Sequence, residues 1–356
     1  RDLHSFPTRR SSDLHIVFTK TYFMEHRQLG KSPVKASAIT FGAWAIGGWM
    51  WGGAERRDAV DAIRASYDLG VTSIDTAPVY GQGLSEDIVG EAIQGLPRNK
   101  IQLLTKFGMR WDVKQGEYFF SSKDNDGRDI DLYKLATRES VIKECEDCLR
   151  RLKTDYIDLF QIHWPDATTP VSETMEALQT LKEQGKILAA GVCNYSVALM
   201  EEAEKVIDLA SDQVPYSMVN RDIEKDIVGF CINHNIGIIA YSPLQRGLLT
   251  GKIRPGHQFN EGDSREKSRW YTPESILRVN NFLESLRPMA ENKRATLAQL
   301  VLRWTVEQPG ITIALAGARN VAQAEENAKA LHVKLSQEEM DFINGEIKKM
   351  EMTAVA

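Results

Sequence analysis

The chain has 356 residues, is 42% hydrophobic and 26% charged, and carries a net charge of −5. That composition suits a globular fold and leaves no basic excess for general nucleic-acid binding, and no apolar run approaches the length of about 20 residues that a membrane span takes. Four cysteines in so long a chain make no disulfide framework, so a reducing, cytoplasmic setting is expected.

Residues 1–23 stand apart. They contain arginine pairs and serines but no sustained apolar core of a secretory signal, and their acids fit a transit peptide poorly. The opening "RDLHSFPTRRSSDL" resembles translated sequencing-adapter text. The native chain is expected to begin at Met24, with residues 24–356 forming a single domain. From there short apolar runs alternate with amphipathic segments. Strands are expected at 39–44, 72–75, 101–106, 156–163, 188–193, 214–219, 237–241 and 312–316. Helices are expected at 55–69, 84–94, 137–152, 172–184, 197–209, 223–235 and 294–307. In the third of these, Val141, Ile142, Cys145, Cys148, Leu149 and Leu152 fall on one helical face. Thr137 with Ser140, and Ser172 near Thr174, offer N-caps. Gly70, Gly185 and Gly237 sit where helices should stop.

The strand runs lack strict polar alternation, which implies burial on both faces and a parallel sheet. Eight such units predict an α/β fold, the (β/α)8 barrel. The rival doubly wound sheet usually shows G-x-G-x-x-G after its first strand. Here "FGAWAIGGWMWGG" is glycine-rich without that spacing. Two stretches, 108–136 and 245–273, are long for barrel loops. Both follow strands, so in a barrel both lie on the C-terminal face, where active sites sit.

Three expected strands end in an ionisable residue: Asp75, Lys106 and His163. Tyr80 follows the first. Each has an ordinary alternative when taken alone. Asp75 caps a turn, Tyr80 is a loop aromatic, Lys106 snorkels to solvent, and His163 is a satisfied core histidine. Their common sheet edge favours a site. A free phenol has a pKa of about 10, and a neighbouring ammonium favours its ionised form. A carboxylate would hold that ammonium, and an imidazole would orient a carbonyl oxygen or share the proton transfer. Such a phenol protonates a developing alkoxide, which calls for a hydride donor such as nicotinamide.

These segments resemble the aldo-keto reductases. "IDTAPVYG", "LLTKFG" and "DYIDLFQIHWPD" are similar to the family's motifs for its aspartate and tyrosine, its lysine and its histidine. The resemblance implies a catalytic tetrad of Asp75, Tyr80, Lys106 and His163, with Tyr80 as general acid. It also implies an NADP(H) site. "GVCNYS" and "QVPYSMVNR" place Asn194 and Gln213 on the carboxamide, with Cys193 where the family often has serine. "AYSPL" places Tyr241 under the nicotinamide ring, with Ser242, Leu244 and Arg246 beside the pyrophosphate. "AGARNVAQAEEN" places Arg319 at the 2′-phosphate and Gln323, Glu326 and Asn327 at adenosine; Trp44 and Gly317 complete the set. A guanidinium matches a phosphate fork, so NADP is expected over NAD. "HRQLGKSPVKAS" resembles the N-terminal hairpin that plugs the family's barrel. "WAIGGWMWGG" and "QRGLLTGK" are similar to the bacterial branch that includes inositol-operon and general-stress reductases.

Trp49, Trp51 and Trp164 are the expected substrate-pocket walls, and Trp111 and Trp270 fall in the two long loops. "CEDC" (145–148) reads as core packing rather than a metal site, since no second ligand pair lies near. The resulting expectation is an NADPH-dependent oxidoreductase that reduces aldehydes or ketones, or oxidises a polyol or sugar in reverse. A cofactor-sensing auxiliary channel subunit of the same fold, with weak turnover, is the alternative. An isomerase or aldolase using Lys106 for a Schiff base leaves Tyr80 and Arg319 unexplained.

Overall fold

Eight parallel strands close into a barrel in simple chain order. They are β1 (Ile39–Gly42), β2 (Ser73–Asp75), β3 (Gln102–Phe107), β4 (Ile157–Ile162), β5 (Ile187–Cys193), β6 (Ser211–Pro215), β7 (Gly237–Tyr241) and β8 (Ile311–Gly317). The computed structural model describes residues 24–51, 54–259, 263–266 and 268–352; the reading of residues 1–23 falls outside them. Alternate side chains point inward, so Leu104, Leu159, Ala189, Ile239, Ile313 and Leu315 fill the barrel interior. An antiparallel hairpin of His26–Gln28 and Lys35–Ser37 adds Leu29, Val34 and Ala36 to that cluster. Its Gly30 lies against the Asn235 and Ala210 carbonyls, just before β7 and β6, so the hairpin closes the N-terminal end as the plug expectation required.

Helices α1 (Arg56–Asp68), α2 (Leu84–Ala92), α3 (Arg138–Leu152), α4 (Val171–Glu183), α5 (Val197–Ala203) and α6 (Ile227–His234) alternate with the strands. In α3 the Thr137 hydroxyl accepts from the Ser140 N–H, and Cys145, Cys148 and Leu152 are buried. Between β7 and β8 stand two helices, α7 (Pro273–Asn292) and α8 (Leu297–Glu307), and α9 (Val321–Ala328) and α10 (Gln337–Met352) follow β8. No described helix is long and apolar enough to cross a membrane.

Several boundaries differ from expectation. β6 begins and ends earlier than 214–219. Pro215 has no N–H to continue the ladder, and the chain turns between Ser217 and Asn220. The α6 helix stops at Asn235, whose φ is 55°, not at Gly237, which opens β7. The cap position of α4 is Pro170, without a side-chain bond; the Thr174 hydroxyl donates instead to the Ala136 carbonyl. Helix α7 was not anticipated, although Thr272 caps it with Pro273 in its first turn, a recognised start signal. The stretch 108–136 is not irregular. Its strands Met109–Arg110, Glu117–Lys123 and Asp129–Lys134 form an antiparallel sheet over the C-terminal mouth.

Candidate active site

β2 ends on Asp75, in register with Leu104 of β3. There Lys106 is fully buried. Its ammonium donates to Asp75 Oδ1 at 2.6 Å and to the Thr76 carbonyl at 2.9 Å. Asp75 Oδ2 accepts from Gln213 Nε2 at 2.8 Å, so both carboxylate oxygens are engaged. The same ammonium lies 5.1 Å from the centre of the Tyr80 ring. His163 follows β4, held by its N–H to the Phe107 carbonyl. Its ring meets Tyr80 edge-on at 5.7 Å, and Trp44 stacks on the phenol at 5.9 Å.

Tyr80 reaches this position through a tight turn. Gly81, Gln82 and Gly83 all have positive φ, and a Cβ on Gly81 would lie 2.0 Å from the Gly47 carbonyl oxygen. Conversely, a Cβ on Gly47 would lie 2.6 Å from the Tyr80 carbonyl oxygen. The two glycines therefore let the loops after β1 and β2 meet behind the phenol.

The electrostatics depart from expectation in one respect. The Lys106 charge does pull the Tyr80 phenol down, but burial under Trp44 outweighs it and lifts the phenol to about 12. Burial works against the Lys106 ammonium, yet the Asp75 charge overrides it and raises its pKa. Burial, and then the Lys106 charge, hold His163 well below the usual imidazole range, so it is neutral. The constellation at neutral pH is thus a phenol, a neutral imidazole and an ammonium bound to a carboxylate.

All the site residues expected from the sequence line one cavity of about 720 Å³, except Lys106, which sits behind Asp75. At the end of β5, Asn194 adopts φ 58°. Its amide donates to the His163 carbonyl at 3.2 Å and accepts from the Tyr241 hydroxyl at 3.0 Å. Cys193 is buried beside it, and burial pushes its thiol well up. After β7, Ser242, Gln245 and Arg246 also take left-handed backbone. Such conformations are uncommon outside glycine and gather at functional sites. The Arg246 guanidinium lies over Trp44 and Trp51 at 5.2 and 5.3 Å and bonds the Ser264 hydroxyl.

The groups expected at adenosine are partly committed to one another. Gln323 Oε1 accepts from the Arg319 N–H, Asn327 Nδ2 donates to the Gly317 carbonyl, and Glu326 pairs with Lys252 at 3.1 Å. The Arg319 guanidinium has no ion pair among the described residues. The indole N–H groups of Trp44 and Trp51 and Arg246 Nε are buried without a partner among the described residues. Unspent donors along a groove fit an extended anionic dinucleotide. Among the described residues no cluster of His, Cys, Asp or Glu fits a metal ion, and "CEDC" packs in the core.

The comparisons with known proteins match this geometry. A model of the aldo/keto reductase family covers residues 38–347. This chain belongs to the aldo/keto reductase family. It is 36% identical over 323 residues to aldo-keto reductase YhdN of Bacillus subtilis, covering 90% of this chain and 93% of that protein. It is 36% identical over 318 residues to the NADH-specific methylglyoxal reductase of Escherichia coli, covering 88% and 95%. The solved glycerol dehydrogenase AKR11B4 of Gluconobacter oxydans superposes with a TM-score of 0.81 at 34% identity, covering 91% and 95% of the two chains. The protein is accordingly an oxidoreductase of the nicotinamide-dependent aldo/keto type.

Sequence reasoning missed several wall residues of this reductase. Met109, Phe119 and Phe120 come from the sheet after β3, and Lys252, Asp263 and Arg265 from the segment after β7. The length of the two loops was the available signal.

Proposed function

We propose that this reductase converts a carbonyl compound to an alcohol, and the reverse, with Tyr80 as the proton donor. The observation that carries the reading is the buried Lys106 ammonium, clamped by Asp75 and the Thr76 carbonyl beneath the phenol ring. Bound nicotinamide supplies or takes up the hydride. Asn194 and Gln213 would hold its carboxamide and Tyr241 its ring face. Ser242, Leu244 and Arg246 would border the pyrophosphate, and Gly317, Gln323, Glu326 and Asn327 the adenosine. Arg319, which has no ion pair among the described residues, would take a 2′-phosphate, which favours NADPH.

In the reductive direction the neutral His163 donates a hydrogen bond to the carbonyl oxygen and fixes its position. As negative charge develops there, Tyr80 delivers its phenolic proton. Lys106 stabilises the phenolate left behind, and Asp75 keeps Lys106 charged and in place. A lysine held this way is no free amine for a Schiff base. Four free, buried cysteines suit a reducing, cytoplasmic setting.

The test is Tyr80→Phe. Positioned acid catalysis contributes about 10²–10⁴-fold, so kcat should fall by that factor. NADPH affinity, read from tryptophan fluorescence, should stay within about threefold. Equal loss of both would refute the role. In the same titration the wild-type protein should bind NADPH more tightly than NADH, and Arg319→Ala should abolish that difference.

A further inference from the structure

Ser85 stands in the first turn of α2, shortly after Tyr80. Its side chain and that of Thr76 are fully buried, and neither residue lines the cavity. Buried hydroxyls take hydrogen-bond partners, and here the partners belong to the surroundings of the phenol. The Ser85 hydroxyl donates to the Ala43 carbonyl at 2.9 Å. A serine has one hydroxyl proton, so in its 2.9 Å contact with Thr76 Oγ1 Ser85 accepts and Thr76 donates. The Ser85 N–H donates to the Tyr80 carbonyl at 3.1 Å.

Each bond reaches a separate part of the site. Ala43 precedes Trp44, the residue stacked on the phenol, and its own N–H donates to the Asp75 carbonyl at 2.8 Å. Thr76 supplies, through its carbonyl, the second acceptor of the Lys106 ammonium. The Tyr80 carbonyl is the atom against which Gly47 packs, and a Cβ on Gly47 would also lie 3.2 Å from Ser85 Cβ. The next residue, Glu86, is equally buried and anchors this helix end. It accepts from the Thr105 hydroxyl, just before Lys106, and from the Arg151 guanidinium of α3, each at 2.6 Å. Ser85 thus joins the loops after β1 and β2 where the stacking indole, the phenol and the ammonium's acceptor meet.

We propose that Ser85 is a positioning residue of the reductase: its hydroxyl, acting through Thr76 and Ala43, sets the Tyr80 phenol against the Lys106 ammonium and the Trp44 ring. The assignment rests on the reading of Tyr80 as proton donor. In Ser85→Ala the backbone bond to Tyr80 remains, but the Ala43 carbonyl and the Thr76 hydroxyl lose their buried partner and must turn to find others. A shift of Ala43 is passed to the Trp44 ring, and a shift of Thr76 to the acceptor of Lys106. Misplacement of a reacting group by about 1 Å costs about 10²-fold in rate.

The experiment measures single-turnover reduction of glyceraldehyde and of benzaldehyde by the NADPH-loaded wild type, Ser85→Ala, Tyr80→Phe and the double variant. Ser85→Ala should lower the rate by about ten- to hundredfold, with NADPH affinity within about threefold of wild type. In the Tyr80→Phe background the same change should lower it by less than about threefold, because no phenolic proton is left to place. Thr76→Val removes the donor to Ser85 and keeps the Thr76 carbonyl. It should show the same dependence on Tyr80, and it carries the test if Ser85→Ala fails to fold. Equal losses in the two backgrounds, or a wild-type rate in Ser85→Ala, would overturn the role and leave the reductase reading intact. A Tyr80→Phe enzyme as fast as wild type, or no wild-type turnover of either aldehyde with NADPH bound, would overturn both.

Discussion

The Asp75–Lys106 pair offers a quantitative test of how the site is held together. Both side chains are out of contact with solvent and their charged atoms stand 2.6 Å apart. With an effective dielectric of about 20, unit charges at that separation attract by about 6 kcal/mol. Most of this is consumed by taking two ions out of water, so the pair as a whole adds little net stability. Breaking it from one side is different. Asp75→Asn preserves the shape and an acceptor for Gln213 but leaves a buried ammonium with only the Thr76 carbonyl. Lys106→Met leaves a buried carboxylate with only Gln213. Each single change should cost about 3–5 kcal/mol. The double variant removes both charges together, so its loss should fall short of the summed single losses by about 2–4 kcal/mol. Urea unfolding of the cofactor-free protein at pH 7, followed by far-ultraviolet circular dichroism, measures all four corners of the cycle. Losses that add to within about 0.5 kcal/mol would show that the two charges do not depend on each other and would refute the description of the site.

Three further outcomes follow from the same geometry. On the proposed mechanism alcohol oxidation requires the Tyr80 phenolate, and the phenol is lifted to about 12; kcat/KM for oxidation should therefore rise by nearly tenfold per pH unit from about pH 7 to 10, and a plateau below about pH 9 would contradict this. Glu144, which accepts from the Gly108 N–H and the Ser140 hydroxyl beneath the mouth, is pushed by burial to about 7 from an ordinary 4.5. The folded chain thus holds a proton that the unfolded chain releases, so this contribution to stability is lost as pH rises from about 4.5 to 7. The advantage of wild type over Glu144→Gln should shrink by about 3 kcal/mol across that window, and a difference independent of pH would refute the assignment. Gly47→Ala places a methyl against the Tyr80 backbone; it should lower the unfolding free energy by about 1–3 kcal/mol and depress kcat more than NADPH affinity, while an unchanged kcat would show that the approach of the two loops does not position the phenol.

The barrel and its polar rim were readable because they follow from local composition. Apolar runs buried on both faces cannot alternate, and Asp75 and His163 stand where such runs meet the mouth. The failures are equally local. A run such as "QVPYSMV" is apolar enough for a strand, yet only the missing N–H of Pro215 says where the ladder ends. Asn235 did the work expected of Gly237 because asparagine tolerates the left-handed region. The sheet after β3 carried a hairpin signal in "DNDG", where Asp124 accepts from the Asp126 and Arg128 N–H groups, but the three consecutive aromatics Tyr118, Phe119 and Phe120 break the two-residue period that marks a strand. The sign of the Tyr80 shift was out of reach for another reason. A charge partner can be named from motifs, whereas desolvation depends on which side chain covers the ring, and Trp44 is brought to Tyr80 by the fold alone.

That same Trp44 explains why one cavity serves two chemically opposite occupants. On the proposed reading the anionic dinucleotide would lie along the cations that follow β7 and β8, and the apolar walls that follow β1 to β4 would take the substrate. Arg246 and Arg265 both reach toward the aromatic side. They are met there by the faces of Trp44 and Trp51, which attract a guanidinium through their quadrupoles, while Asp263 neutralises Arg265 at 2.6 Å. Trp44, packed edge to face on Trp51 at 5.5 Å, thus has Arg246 over its ring and Tyr80 stacked against it. The phenol keeps a covered, low-dielectric setting because indole rather than water lies against its ring. Among the described residues Lys106 is the cation that stands over the Tyr80 ring, so on the proposed mechanism its removal should be felt strongly.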